Sequence, residues 1–405
     1  MMIPIKIKRL TRAITTLAFA FAMNRLSAQA VLPEPMPVDA GVMAAAKTAL
    51  AKGDPVHKAA LAQLVKRADV MLAFKPVSVM DKKDLPPSGE KHDFMSLAPY
   101  WWPDPAKSDG LPYIRKDGVV NPEVKNYPDK EQMPKMCENI YWLSLAWHYT
   151  GRDAYAAHAA KLMRTWFLDT ATRMNPNMKY GQAVKGVTEG RAEGLIETRH
   201  FLFALEGIQL LKGSKHWTDA DQAGMQAWVR AFLDWMQTDP IGIDERNARN
   251  NHGIWYEAQR LGYAQFVGDK ALAATVLRDA QARLNKEQVA DGSFPLELAR
   301  TTSKGYSVFV LHAFSVIGEL SRRSGEDFWL YAGPKGASMR RGMDFLLPYL
   351  SGKSAWTYPQ IKPFQSETSF GLLWASSRRL GCNDCMDVLD KETNGTFAKS
   401  VAVLY

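Results

Sequence analysis

The chain has 405 residues, 46% hydrophobic and 23% charged, with 51 Lys and Arg against 42 Asp and Glu. That is enough for one large core, or a core plus a small appendage. The excess of nine positive charges falls to four without residues 1–30, which hold five basic residues and no acid; this suits an acidic ligand and is too small for wrapping nucleic acid.

Residues 1–30 read as a secretory signal peptide. Lys6, Lys8, Arg9 and Arg12 give a basic start, residues 13–23 a short apolar run, and Ala28-Gln29-Ala30 a small-x-small cleavage site. The run is too short to span a bilayer and no later one is longer, so no membrane insertion is expected. The expected product is a single domain of residues 31–405, periplasmic or secreted. The spacing of Ala, Leu and Lys predicts helices over 39–52 and 55–74. From Pro76 to Pro128 the periodicity stops, and so long an irregular segment predicts a functional lid. Within it, Tyr100-Trp101-Trp102 between Pro99 and Pro103 suits stacking on sugar faces, or packing of the loop on the body.

After Pro134 helices are predicted over 136–149, 153–167, 191–212 and 218–237, then from Asn251 to near Gly262 or Gly268, and over 269–286, 304–323, 337–347 and 368–380. The second-last is expected to stop at Pro348. Strand signals are few. Helical hairpins joined by short turns predict an all-α fold, an α/α toroid whose loops build a cleft at one end. Cys382 and Cys385 are spaced for a local disulfide in an exported protein, and Cys137 stands alone.

Residues 249–256 concentrate the chemistry. If Asn250 or Asn251 caps a helix, His252 and Tyr256 share a face near Arg249. Glu193, Glu197 and His200 are placed at i, i+4 and i+7 of a helix, with Arg199 beside the histidine. A structural histidine is the plainer reading there, since the double histidine of zinc helices is missing. The loops 175–182 and 291–300 are polar and fit turn chemistry as well as binding. No nucleotide-binding glycine motif and no serine-hydrolase elbow is present.

Taken as an ordered series, residues 96–105, 175–182, 198–200, 250–256 and 295–300 resemble the alginate-lyase-type polysaccharide lyases. The resemblance implies an α/α toroid and β-elimination on an acidic uronan such as alginate or glucuronan, without metal or other cofactor. It implies a catalytic tyrosine, a histidine some fifty-odd residues before it and an arginine just upstream, which map onto Tyr256, His200 and Arg249. Asn250, Asn251, His252, Arg199, Tyr100, Trp101, Trp102, Gln182 and Arg300 are then the expected substrate-binding residues. One departure stands out: such lyases often carry asparagine directly before that histidine, where this chain has Arg199. The expected partner is the polysaccharide, with no nucleic acid, and a monomer or weak oligomer. The alternatives are an α/α-barrel glycoside hydrolase on uronides, drawing on Glu193, Glu197, Glu297 and Asp93, and a non-catalytic uronan-binding protein.

Overall fold

The computed structural model describes residues 35–405; the expected leader lies outside them. Their α-helices are α1 (Ala40–Ala51), α2 (Pro55–Met71), α3 (Asp129–Thr150), α4 (Asp153–Met163), α5 (Phe201–Leu210), α6 (Asp219–Thr238) and α7 (Pro240–Asn247). The series continues with α8 (Asn251–Phe266), α9 (Lys270–Glu287), α10 (Pro295–Leu298), α11 (Ser303–Ser321), α12 (Met339–Leu350), α13 (Phe370–Leu380) and α14 (Asn383–Thr393). Sequence-local caps set many starts: Asp39 accepts from the Gly41 and Val42 N–H groups, and Thr218 with Asp221 forms a capping box on α6.

Two kinds of helix alternate, as an α/α toroid requires. The middle helix α8 buries thirteen of its sixteen residues, whereas α9, packed beside it, buries five of eighteen along one stripe. A helix buried all round belongs to an inner ring and a one-stripe helix to an outer ring. α3, α5 and α11 share the inner character, and one continuous core runs from Met36 to Tyr405. A cavity of about 1090 Å³ lies among Lys47, His148, Glu206, Lys270 and Arg323, and its lining does not include His252, Arg300 or Tyr306.

Several local expectations change. α3 starts at Asp129 and runs through Pro134, and α12 runs through Pro348 to Leu350. Packing compensates for the single helical bond each proline removes. Residues 192–200 form a 3₁₀ helix (Ala192–His200) leading into α5, so the i, i+4, i+7 alignment of Glu193, Glu197 and His200 does not hold. The helices α7 and α14 were not expected. Cys382 and Cys385 form the disulfide, and Cys137 is buried.

The long irregular segment carries β1 (Met95–Leu97), β2 (Trp101–Trp102) and β3 (Ile114–Arg115). β2 and β3 form an antiparallel hairpin with Trp101 opposite Arg115, while β1 pairs in parallel with β4 (Tyr180–Ala183). Its base is nailed down by buried polar groups. Lys82 Nζ lies 3.0 Å from Asp129 Oδ2, which also accepts from the Met95 N–H. Asp93 accepts from the side-chain amides of Asn175 and Asn177 at 2.9 and 3.1 Å. The polar loop at 175–177 therefore anchors the base of this segment.

Candidate active site

Asn250 caps α8 and accepts the His252 N–H at 3.2 Å. This cap points the His252 ring at α7, where Nδ1 lies 2.7 Å from Oε1 of the buried Glu245. Burial lowers the imidazole pKa, but the charge and hydrogen bond of Glu245, then Glu193 and Glu297, outweigh it and leave it raised. Next to it, Asn251 is buried, with its main-chain N–H and Nδ2 donating to Glu297 at 2.6 and 2.9 Å. Its amide donor is thus committed to the α8–α10 junction.

Arg300 and Tyr306 stand on the turn after α10 and the first turn of α11. Arg300 Nη2 donates to the Tyr306 Oη at 2.6 Å, and the Tyr100 Oη lies 3.2 Å from the same oxygen. Burial and the Tyr100 phenol raise the Tyr306 pKa, while Arg300 pulls it down. Arg300 is held in turn by Asp117 of the irregular segment, through Nε at 3.1 Å and Nη2 at 2.7 Å. The two groups join into one electrostatic neighbourhood: His252 and Arg300 both act on Glu297.

The opposite wall is built on β4. Gly181 and Gly194 meet backbone to backbone, and a Cβ on Gly194 would fall 2.6 Å from the Gly181 carbonyl carbon. That approach brings the buried Gln182, at φ +49°, beside Arg191. The Gln182 main-chain N–H donates to Ser96 Oγ at 2.8 Å, and its Oε1 accepts from Arg191 Nη2 at 2.9 Å. Arg191 also pairs with Glu193 at 2.9 Å and lies 5.9 Å over the Trp101 ring. Gln182 is a brace for Arg191, with both ends of its amide already bonded. Trp102 donates to the Val119 carbonyl under Lys116, further along the hairpin. Arg199 lies over the Trp255 and Phe309 rings at 5.8 and 5.4 Å.

The expected trio of Tyr256, His200 and Arg249 is not brought together. Tyr256 is fully buried, and its Oη donates to the Met236 carbonyl at 3.0 Å, at the end of α6. Burial, then Glu257, pushes its pKa to about 12 against the pull of Arg260, Arg246 and Arg283. His200 packs its ring on Phe203, and burial beside Arg199 holds its pKa well below the usual imidazole value. Arg249 is exposed on the turn before α8. A second set in the chain meets the same spacing: Tyr306 lies 54 residues after His252 and six after Arg300. It also places Asn251 directly before the histidine, so the departure at Arg199 disappears.

A helical toroid whose mouth joins a guanidinium-bound phenol to a carboxylate-bound imidazole, beneath an aromatic hairpin, has the make-up of an enzyme for anionic polysaccharides. Residues 78–356 match the family model described as alginate lyase, and the chain belongs to that family: it is a polysaccharide lyase. An alginate lyase from Bacteroides ovatus is 34% identical, superposes with a TM-score of 0.85, and the match covers 92% of this chain and 99% of that one. Alginate lyase A1-III from Sphingomonas species A1 is 16% identical over 82% of this chain and 90% of its own, with a TM-score of 0.51. A variant of A1-III complexed with tetrasaccharide is 14% identical over 81% and 89%, with a TM-score of 0.54. The last two share the fold. Among curated proteins, none matches the chain by sequence.

Proposed function

We propose that the substrate is an alginate-type uronan and that Tyr306 moves the protons, with Arg300 and His252 supplying positive charge. In such a polymer the proton on C5 is alpha to the C6 carboxylate, and the C4–O4 bond is beta to it. Taking the proton builds an enediolate, so the carboxylate has to be neutralised where the charge develops. Protonated His252, the Asn250 side-chain amide, which donates no hydrogen bond within the described residues, and Arg300 are the donors at hand. The Tyr306 oxygen removes the C5 proton, the released electron pair forms the C4=C5 double bond, and O4 leaves with the C4–O4 pair. Where the C5 hydrogen and O4 lie on one side of the ring, as in mannuronate, the phenol can return that proton to O4. Trp101 and Arg191 offer a sugar face and a cation for neighbouring residues of the polymer.

The observation that carries this reading is the 2.6 Å contact of Arg300 with the Tyr306 oxygen, where the guanidinium pulls the phenol pKa down against burial. A hydrolase would need a pair of available carboxylates. Glu197 is taken by Ser96 and Lys130, Glu297 by Asn251, and Asp93 by Asn175 and Asn177. The test is ultraviolet absorbance of the unsaturated product with polymannuronate, polyguluronate, glucuronan and hyaluronan, in the presence of chelator. Absorbance is expected to rise with polymannuronate. Because the Tyr306 pKa is raised, kcat is expected to climb with pH into the alkaline range. New reducing ends without absorbance would sink the elimination reading.

We also infer export, on the strength of residues 1–30. Mass spectrometry of the protein from a periplasmic or culture fraction should find Val31 at the N-terminus; an intact leader on active cytoplasmic protein would contradict this.

A further inference from the structure

We propose that Asp117 is a positioning residue that holds the Arg300 guanidinium on the Tyr306 phenol, so the reacting pair is complete only when the lid turn is seated. This rests on the roles of Arg300 and Tyr306 proposed above. Arg300 has a long flexible side chain, and a single contact would leave its guanidinium free to turn. Asp117 grips it at two nitrogens, Nε at 3.1 Å and Nη2 at 2.7 Å, which fixes the plane of the fork. The same Nη2 then reaches the Tyr306 oxygen at 2.6 Å. The third nitrogen, Nη1, makes no hydrogen bond within the described residues and is left for a substrate carboxylate.

Asp117 is itself firmly seated. Its Oδ2 accepts from Thr301 Oγ1 at 3.0 Å and from the Thr301 N–H at 3.3 Å, and Oδ1 accepts from Arg115 Nη2 at 2.8 Å. Burial raises its pKa, but the bond and charge of Arg300, with Thr301 and Arg115, hold the carboxyl well below the usual range. It therefore stays charged wherever the enzyme works. The next residue, Gly118, has φ +75°, and a Cβ there would lie 2.5 Å from Thr301 Oγ1. The turn is pressed onto the residue that follows Arg300. An ordinary surface ion pair would contribute little. This pair is different: Arg300 and Asp117 are only 15% and 20% exposed and lie 183 residues apart, with the lid on one side and the α10–α11 turn on the other.

The test compares Asp117→Ala and Asp117→Asn with the parent enzyme on the polymer it cleaves. Asp117→Ala is expected to lower kcat about 10- to 100-fold, the scale of a misplaced reacting group, with little change in KM. The pH at which kcat rises should move upward, because the phenol loses its nearest cation. Asp117→Asn keeps the volume and one acceptor oxygen; it should lose less and shift the same way, and it covers a failure of the alanine variant to fold. In an Arg300→Lys background, Asp117→Ala should cost little more, since both act through one side chain. A folded Asp117→Ala or Asp117→Asn enzyme with parental kcat and pH profile would overturn the proposal, as would full additivity with Arg300→Lys. If Tyr306→Phe is inactive in that case, the proposed function stands without Asp117. Full activity of Tyr306→Phe would overturn both.

Discussion

Tyr306→Phe is expected to reduce kcat by about 10²–10⁴, the usual contribution of a positioned proton-transfer group, with polymer binding retained. Tyr256→Phe is expected to leave kcat unchanged and to lower stability by about 1–3 kcal/mol, the cost of leaving a buried carbonyl unpaired. The contrast follows from position. The Tyr306 oxygen is shared between Arg300 and Tyr100, two groups that reach it from different segments of the chain. The Tyr256 oxygen is spent on the Met236 carbonyl inside the core. Absorbance kinetics and thermal melts on the two variants settle the matter. An inactive Tyr256→Phe enzyme with a normal melting temperature would reverse the assignment.

The reason the sequence points to Tyr256 and the fold to Tyr306 is physical. His200 with Arg249 and Tyr256, and His252 with Arg300 and Tyr306, both fit a histidine followed fifty-odd residues later by an arginine and tyrosine. Spacing along the chain cannot rank them, because it does not say which way α8 faces. α8 is an inner helix, so its second turn is buried on every side, and Tyr256 falls there while His252 stays partly exposed in the first turn. One signal did separate the sets: Asn251 precedes His252, whereas Arg199 precedes His200. The 3₁₀ geometry of residues 192–200 was the other obstacle, since at three residues per turn Glu193 falls about 120° off the face that Glu197 and His200 share. In the fold, Glu197 pairs with Lys130 and Ser96.

The architecture was easier to read, because hydrophobic spacing and glycine stops are local signals. The inner and outer rings follow from how much of each helix is apolar. The irregular segment was legible as a break in periodicity, and its aromatic residues do meet Arg191 and Tyr306. Its fastening was not legible. Lys82 with Asp129, Asp93 with Asn175, and Asp117 with Arg300 join residues 47 to 183 positions apart. Each looks like an ordinary solvated charge until the chain is folded. Gln182 is a related case: its loop reads as polar from the sequence, and only the fold shows its amide bonded to Arg191.

His252→Ala is expected to cost about 10²–10³ in kcat/KM, the usual loss for one donor facing a developing anion. Glu245→Gln tests how His252 acts. In the parent enzyme Glu245, Glu193 and Glu297 outweigh burial and keep the imidazole pKa above its ordinary value. The charge therefore favours the fold most fully below the unfolded pKa, and that contribution is lost as pH rises through the folded one. Glu245→Gln removes the strongest pull and leaves the desolvation, so the His252 pKa should fall. If protonated His252 neutralises the substrate carboxylate, the variant should be slow at neutral pH and recover as the pH is lowered, until Tyr306 limits it. If neutral His252 were the base, the same change would extend activity toward acid with no deficit at neutral pH. A pH series of kcat/KM on Glu245→Gln separates the two, and the geometry favours the first: Nδ1 is bound to a buried carboxylate whose negative charge a protonated ring would balance.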